Sequence, residues 1–313
     1  MILSVSRRTD LPNYYSDWFY NRIKEGFLYV KNPMNAHQIS RIDLSPRVVD
    51  CIVFWTKNPT EMIDRLDELK DYQYYFQFTL TGYGRDIEPG LPNKKRVLIP
   101  IFQRLSKMIG KNKVIWRYDP ILLNDKYTIE YHIRAFTTIT EALKDYTEKV
   151  IISFVDIYAK TQRNTKDLNI KNVSSEDMKS VAGKLAEIAH NNGLEIESCA
   201  EAIDLEEVGI KHGCCIDKNL IEQIIGYPLK GTKDKNQREE CGCFESVEIG
   251  TYNTCKNGCK YCYANYNEGQ VIRQTQLYDP ESPILCAVID EENGDKINIR
   301  KVESLKENQI SFI

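Results

Sequence analysis

"CIVFWTKNPTEMIDRLDELKDYQYYFQFTL", residues 51–80, contains two apolar stretches that flank a segment with helical periodicity. Residues 51–55 and 74–80 are almost continuously apolar or aromatic, as is typical of strands covered on both faces. Between them, apolar residues recur at the spacing of one helix face, at Met62, Ile63, Leu66 and Leu69. This stretch therefore predicts a strand–helix–strand unit with parallel strands.

The same alternation recurs along the chain. Further strands are predicted at residues 2–6, 114–117, 150–155 and 194–199, and a long amphipathic helix is predicted within residues 174–193. Repeated strand–helix units indicate a parallel α/β sheet, either doubly wound or barrel-like. No glycine-rich phosphate fingerprint follows the first strand, which weighs against the dinucleotide-binding form. We therefore predict an α/β fold, a partial (β/α)6 TIM-like barrel.

A change in composition after the sixth strand suggests three regions. We assign residues 1–230 to the partial barrel and residues 231–266 to a cysteine-rich loop that closes the barrel mouth. Residues 267–313 are predicted to form a tail packed on the barrel. The first part of the middle region is polar and rich in turn-forming residues, as expected for a loop.

Composition and charge narrow the class of protein. The chain has 313 residues, of which 42% are hydrophobic, and this is ample material for a core. A formal net charge of −3 gives no general attraction to nucleic acid or to anionic membranes. The opening "MILSVSRRTD" has no secretory pattern, and no apolar run is long enough to span a bilayer. We expect a cytoplasmic protein without a membrane or nucleic-acid partner.

Polar side chains follow the predicted strands at their carboxyl ends, which meet at one edge of a parallel sheet. We predict that Arg117, Asp119 and Glu197 are catalytic and that Arg7, Arg8 and Thr79 contact a cofactor. Arginines together with acids suit a zwitterionic or anionic small molecule. Other polar residues expected at this edge are Asp10, Lys57, Thr81, Ser153, Asp156, Cys199 and Glu201.

The motif "YNTCKNGCKYCYANY", residues 252–266, contains Cys255, Cys259 and Cys262. In a cytoplasmic protein, clustered cysteines more often bind metal or do redox chemistry than form disulfides. A zinc site requires a fourth ligand at a second short interval, and only Cys286 follows. The unequal C-x3-C-x2-C spacing is what a cubane cluster with one open iron uses. A structural zinc site remains an alternative.

These three cysteines, with Tyr261 before the last, resemble the cluster motif of radical S-adenosylmethionine (SAM) enzymes. Over nearly its whole length the chain resembles the radical-SAM-like family called domain of unknown function 1848. The resemblance implies a partial barrel, a [4Fe–4S] cluster on the three cysteines, and SAM as cofactor with Tyr261 beside it. It also implies an external electron donor of flavodoxin or ferredoxin type, and radical chemistry on a small-molecule substrate that the family does not specify.

Two features depart from the radical SAM pattern. The triplet follows the last predicted strand, whereas those enzymes carry it after the first, so the cluster must reach the barrel mouth from a C-terminal loop. In addition, "FWTKNP" stands after the second strand, where those enzymes usually have a Gly-Gly-Glu segment. SAM binding in a rearranged mode, or no use of SAM in the usual way, are both compatible with these departures.

A second group of cysteines lies upstream of the triplet. Cys241 and Cys243 are separated by one glycine, and Cys214 and Cys215 are adjacent. We predict a second metal site, an iron–sulfur cluster or zinc, with Cys215, Cys241 and Cys243 as ligands and Cys199 as a further candidate. The alternative is that some of these cysteines are buried small apolar residues.

The competing functional class is an electron-transfer protein, or a structural zinc or iron–sulfur protein, without SAM chemistry. Electron carriers complete every iron's ligation with protein thiolates and rarely have a charged barrel mouth. The polar edge predicted above therefore favours an enzyme.

Overall fold

The computed structural model describes residues 1–156 and 159–307. Residues 308–313 of the predicted tail lie outside this described part. The strands are β1 Ile2–Val5, β2 Phe27–Asn32, β3 Asn35–Asp43, β4 Cys51–Thr56, β5 Tyr74–Thr79, β6 Val114–Ile121, β7 Lys149–Phe154, β8 Glu195–Cys199, β9 Lys211–Gly213, β10 Val247–Glu248 and β11 Lys296–Ile299. The α-helices are α1 Leu11–Tyr14, α2 Ser16–Glu25, α3 Thr60–Ile63, α4 Ile99–Ile109, α5 Ile129–Leu143, α6 Ala159–Asn164, α7 Ser175–Asn191, α8 Lys218–Ile225 and α9 Glu268–Thr275.

The main sheet has eight strands in the order β10-β1-β4-β5-β6-β7-β8-β9, and every neighbouring pair is parallel. All six strands predicted from the sequence belong to it, so the parallel α/β sheet is confirmed. In the described residues β10 and β9 are the two free edges, and no closed barrel forms. The finer class, a partial barrel of radical SAM type, stays a prediction.

The two faces of this sheet are covered differently. One face carries the large hydrophobic core, where Phe54, Phe76 and Trp116 pack with helix residues such as Phe102 and Phe136. The opposite face carries a smaller cluster in which alternate strand residues pack against the segment that contains α8. We call this opposite face the inner face. Burial on both faces explains why the strands are nearly continuous apolar runs in the sequence.

The helix predicted within residues 60–70 is shorter than its apolar spacing indicates. α3 ends at Ile63, and a separate 3-10 turn spans Leu66–Leu69. The Met62 carbonyl accepts hydrogen bonds from the Arg65 amide at 3.0 Å and from the Tyr20 hydroxyl at 3.1 Å, so it does not continue a regular helical ladder. The apolar side chains of this segment nevertheless pack into the core, as their periodicity predicts.

A second sheet of three strands, in the order β11-β3-β2, was not predicted. β2 and β3 form an antiparallel hairpin, and β11 pairs in parallel with β3. Much of this hairpin is exposed, so its sequence lacks the apolar pattern that marks the main sheet. Within the part of the chain that the structure describes, no helix has the length and apolar character needed to cross a membrane.

His132 is fully buried on α5. One ring nitrogen lies 2.9 Å from the Tyr118 hydroxyl, and the other lies 2.9 Å from the Leu122 carbonyl. The ring therefore donates to Leu122 and accepts from Tyr118. Burial lowers the pKa of His132 to about 4, against a smaller opposing effect of the Leu122 carbonyl. The imidazole is therefore neutral in the folded protein at neutral pH.

This depressed pKa predicts a specific dependence of stability on pH. The unfolded chain binds a proton at His132 below about pH 6.5 while the folded chain does not, so the free energy of unfolding should fall between about pH 6.5 and 4. His132 should account for on the order of 3 kcal/mol of that fall. Denaturant unfolding of His132→Gln should give a shallower pH slope, whereas His190→Gln, at an exposed histidine, should keep the wild-type slope. An unchanged slope in His132→Gln would contradict this assignment.

Candidate active site and cysteine clusters

The inner face becomes polar towards the carboxyl ends of the strands. Near the amino ends it carries Val53, Tyr75 and Ile115, which belong to one buried apolar cluster. Further along the same face, the side chains are polar or reactive: Ser4, Trp55, Gln77, Arg117, Ser153 and Cys199. Ligands of open parallel α/β sheets bind beyond this end of the strands. This edge is therefore the candidate site.

Asp10 joins three segments at this edge. Its carboxylate accepts hydrogen bonds from the Thr56 hydroxyl at 2.6 Å and the Lys57 amide at 2.8 Å, both at the end of β4. It also accepts from the Asn257 side chain at 3.0 Å. The Asn257 amide oxygen in turn accepts from the Tyr14 hydroxyl at 2.8 Å. Asp10 therefore connects the segment after β1 to β4 and to the cysteine triplet.

We call residues 252–266 the triplet loop. It follows β10, the edge strand that pairs with β1, so it starts beside the carboxyl end of β1 although it comes late in the chain. On its other side, the Gly90 amide donates to the Asn257 carbonyl at 3.0 Å. A Cβ at Gly90 would lie 2.8 Å from that carbonyl oxygen, so only glycine permits this approach. The loop thus lies over the segments that follow β1 and β5.

The three thiols of the triplet share one environment. Cys259 is buried, whereas Cys255 and Cys262 are partly exposed. Burial, followed by the neighbouring Cys262 thiol, raises the pKa of Cys255 to about 12. Burial also raises the pKa of Cys259 well above its usual value, although the Lys57 ammonium opposes this shift. The Ala264 amide donates to the Cys262 sulfur at 3.3 Å. All three cysteines therefore lie together at the candidate site.

A buried carboxylate, Glu88, links Tyr261 of the triplet loop to two lysines. The Lys57 ammonium lies 2.9 Å from Glu88 and 2.8 Å from the Tyr261 hydroxyl. Glu88 also pairs with Lys94 and accepts hydrogen bonds from Tyr261 and, at 2.9 Å, from Thr81. Burial opposes ionisation of Glu88, but the two ammonium groups outweigh it and lower its pKa to about 2. Glu88 is therefore a permanent anion between two cations.

Arg117 and Asp119 form a second charged group on the inner face. The Arg117 Nε donates to Asp119 at 2.9 Å, and Ser153 donates to the other carboxylate oxygen. Burial opposes ionisation of Asp119, but Arg117 and the Ser153 hydroxyl lower its pKa below the usual range. Two predicted catalytic residues thus lie in one ion pair at the candidate site. The third, Glu197, lies elsewhere and pairs with Lys149 at 2.6 Å.

The residues predicted to contact a cofactor occupy different places. Arg7 packs over the Trp55 ring at 5.2 Å, and its Nη2 atom is buried without a hydrogen-bond partner among the described residues. Burial opposes the charge of Arg7, but the nearby Cys243 and other anionic groups raise its pKa. Arg8 instead donates to the Gly250 carbonyl at 3.2 Å. Thr79 ends β5 opposite Arg117 of β6, at the carboxyl edge.

The upstream cysteines also meet on the inner face. We define the thiol cluster as Cys199, Cys215, Cys241 and Cys243. The Cys199 and Cys215 sulfurs are 2.7 Å apart, and an Arg117 Nη1 lies 2.7 Å from the Cys215 sulfur. The Cys215 carbonyl accepts from Tyr75 at 2.9 Å and from Gln77 at 2.7 Å. The segment after β9 is therefore hydrogen-bonded to β5, near the centre of the sheet.

Cys243 completes this arrangement from a different segment. Its sulfur accepts a hydrogen bond from the Ile216 amide at 3.4 Å, and the Phe244 amide donates to the Ile216 carbonyl at 2.9 Å. Hydrogen bonds from Cys215 and Cys241 lower the pKa of Cys243. Cys214 does not join the group, because its thiol donates to the Gly242 carbonyl at 3.1 Å. The segments that contain Cys215 and Cys243, which are distant in the sequence, thus lie side by side in the fold.

In neither group do the sulfur atoms have the spacing of a complete set of metal ligands. In residues 1–156 and 159–307, no three or more His, Cys, Asp or Glu side chains are already arranged to hold a metal ion. In the described part of the chain the cysteines are free thiols without disulfides. The two predicted ligand sets, and metal binding itself, therefore stay predictions.

Several residues of the site were not singled out from the sequence. Glu88 and Asn257 lie in loops without periodicity and Lys94 begins a short π-helix, and only the three-dimensional fold brings them to the edge of the sheet. Glu201 was expected at this edge and accepts a hydrogen bond from the Phe154 amide at 2.7 Å. Burial raises the pKa of Glu201 to about 7, so this carboxyl can exchange a proton near neutral pH.

The parallel eight-stranded sheet, covered on both faces and polar at its carboxyl edge, defines an α/β protein. The chain belongs to the family described as a domain of unknown function (DUF1848), whose model matches residues 2–264. This match confirms the resemblance to domain of unknown function 1848, while the radical SAM part of the resemblance stays a prediction.

Comparisons with other proteins add little to this assignment. No curated protein matches the chain. Among solved structures, a provisionally assigned alpha-L-fucosidase from Bacteroides thetaiotaomicron VPI-5482 is 9% identical and has a TM-score of 0.26. That match covers 68% of this chain and 77% of the other. Similarity at this level carries no argument about fold or activity.

Removal of the Glu88 charge should destabilise the protein. Glu88→Gln keeps the size of the side chain but leaves the ammonium groups of Lys57 and Lys94 close together without their anion. Breaking such a buried pair costs about 3–5 kcal/mol, which thermal or denaturant unfolding can measure. The matched control is Glu148→Gln, because Glu148 pairs with Lys111 at 3.4 Å and both side chains are more than half exposed. That change should cost about 0–1 kcal/mol, and equal effects of the two changes would contradict the role of Glu88.

Proposed function

We propose that the protein is an iron–sulfur enzyme of the radical SAM kind, which binds a [4Fe–4S] cluster through Cys255, Cys259 and Cys262. The observation that carries this proposal is the position of the triplet loop. Three cysteines of one loop lie over the carboxyl edge of a parallel sheet, next to charged groups that can bind a small molecule. When bound, such a cluster supplies an open iron for SAM and the electron that cleaves its carbon–sulfur bond.

The residues of the loop fit such a group. Thiolates are the ligands that iron–sulfur clusters require, and the loop contributes three from eight consecutive residues. Asn265 donates to the Cys255 carbonyl at 2.7 Å, while its own Oδ1 is buried without a partner in the described part of the chain. This acceptor is available to a ligand that carries a hydrogen-bond donor, such as the amino group of SAM, because an iron–sulfur cluster donates no hydrogen bond.

The cysteine triplet comes late in the chain and not after the first strand, and this position is compatible with the proposed function. The triplet follows β10, and β10 is the outer neighbour of β1 in the sheet. The loop therefore occupies the place above the first strands of the sheet, even though it comes after the last predicted strand. The late position of the motif in the chain does not prevent the three cysteines from reaching the carboxyl edge.

We assign roles to the chain's own residues as follows. Tyr261, held by Lys57 and Glu88, is proposed to shape the site next to the cluster, and Arg7, Arg8 and Thr79 are proposed to contact SAM. The Arg117–Asp119 pair is proposed to orient a polar substrate, because its members are already charged and fixed. Glu201 is proposed to exchange a proton with that substrate. Glu197, paired with Lys149, is a weaker candidate for catalysis.

Water exclusion follows from the same arrangement. Asp10 is 5% exposed, Glu88 is 1% exposed and Arg117 is 4% exposed, so the charged groups below the loop are shielded from solvent. Charges in such surroundings interact more strongly than in water.

Reduction of the cluster would require a small external one-electron donor of flavodoxin or ferredoxin type.

The test uses the chain reconstituted anaerobically with iron and sulfide. The wild type should show a cubane electron paramagnetic resonance signal that SAM perturbs, and dithionite should then yield 5′-deoxyadenosine. The Cys255→Ala/Cys259→Ala/Cys262→Ala variant should lose the SAM-sensitive signal and the product. The control Cys51→Ala, at a fully buried strand cysteine, should retain both.

Two results would overturn this function. A cluster that SAM does not perturb, together with no SAM cleavage product, would favour an electron-transfer protein. Zinc in place of iron on the triplet would make the triplet loop a structural site. Circular dichroism of the triple variant distinguishes loss of the cluster from loss of the fold.

A further inference from the structure

The thiol cluster lies where the two free edges of the main sheet approach each other. Cys199 ends β8, and Cys215 follows β9, the last strand at one edge. Cys241 and Cys243 precede β10, the strand at the other edge. A backbone hydrogen bond from the Phe244 amide to the Ile216 carbonyl already connects the two sides. A ligand held by all four sulfurs would therefore join the two edges.

The surroundings of the four sulfurs are those of an anionic group. An Arg117 Nη1 lies 2.7 Å from the Cys215 sulfur, and the Ile216 amide donates to the Cys243 sulfur. The buried Nη2 of Arg7 has no hydrogen-bond partner in the residues described. Guanidinium and amide donors stabilise thiolates, and hydrogen bonds to ligand sulfurs tune metal sites.

We propose that Cys199, Cys215, Cys241 and Cys243 bind one Zn²⁺ ion as a tetrahedral four-thiolate site that closes the open sheet. Binding releases to solvent whatever protons the four sulfurs still carry, and no electron is transferred. One divalent ion with four thiolates carries a net charge of about −2, which Arg7 and Arg117 offset in part, because Arg117 also pairs with Asp119. The site is distinct from the triplet and does not depend on SAM chemistry.

The compactness of the group favours a single ion. Zinc–sulfur bonds of about 2.3 Å place ligand sulfurs about 3.8 Å apart, whereas the Cys199 and Cys215 sulfurs are 2.7 Å apart. Zn²⁺ therefore requires these two sulfurs to separate by about 1 Å, within reach of side-chain rotation. A cubane cluster binds each thiolate at a different corner and requires a much wider group.

The first measurement is the zinc content of the tag-free wild type and of the tag-free triplet alanine variant. Inductively coupled plasma mass spectrometry measures it. Both should contain about one zinc per chain, because the triplet is not part of this site. Zinc that disappears with the triplet would overturn the proposal. Iron and acid-labile sulfide that remain in the triplet variant would also overturn it, because they would place an iron–sulfur cluster on the thiol cluster.

Matched variants then assign the ligands. Cys243→Ser should lower zinc content at least several-fold, whereas Cys214→Ser, next to the cluster but bonded to the Gly242 carbonyl, should keep it. Arg7→Gln should weaken zinc affinity by about 10–100-fold in competition with a chelator. Equal zinc content in Cys243→Ser and the wild type would exclude this site.

Cobalt provides a readout that does not depend on the variants folding. The wild-type chain, stripped of zinc and loaded with Co²⁺, should show the visible absorption of tetrahedral thiolate-bound cobalt. A spectrum without sulfur-to-cobalt charge transfer, or peptide mapping that finds a Cys199–Cys215 disulfide in freshly isolated protein, would overturn the proposal.

Discussion

The buried carboxylate of Asp10 is the interaction on which the arrangement of this protein depends. It holds the end of β4 through Thr56 and Lys57, and it holds the triplet loop through Asn257. Each hydrogen bond to such a charged group contributes about 1.5–3 kcal/mol. Burial raises the pKa of Asp10, and the three donors oppose that effect. Without this carboxylate, the triplet loop would keep its attachment to Gly90 and Tyr14 but lose its link to the end of β4.

The charged groups at the carboxyl edge form one electrostatic system. Lys57 interacts with Glu88 and with Asp119, so it couples the surroundings of the triplet to those of Arg117. Arg117 in turn contacts Cys215, which belongs to the thiol cluster. A change of charge at either group of cysteines therefore changes the electrostatic interactions of the same few buried side chains. This coupling is stronger than at a surface because little water separates the charges.

Much of the fold was predictable, because buried parallel strands leave continuous apolar runs such as residues 51–55. The exposed hairpin of β2 and β3 leaves no such pattern, and β10 has only two residues, so both depend on tertiary pairing that sequence periodicity does not report. The triplet was predictable because its ligand spacing lies within one loop. Glu88 and Asn257 were not, since each acquires its role only through contacts with segments distant in the chain.

The order of strands in the sheet also has a consequence for synthesis. β10 is the outer neighbour of β1, yet 241 residues separate Val5 from Val247, so the ribosome makes the partner of β1 long after β1 itself. Until then, the outer edge of β1 has no neighbour, and an unpaired edge is where nascent chains join the wrong strand. The triplet loop follows β10, so the pairing of β10 with β1 brings this loop beside the end of β1. A chaperone that shields the outer edge of β1 during synthesis would favour the correct pairing.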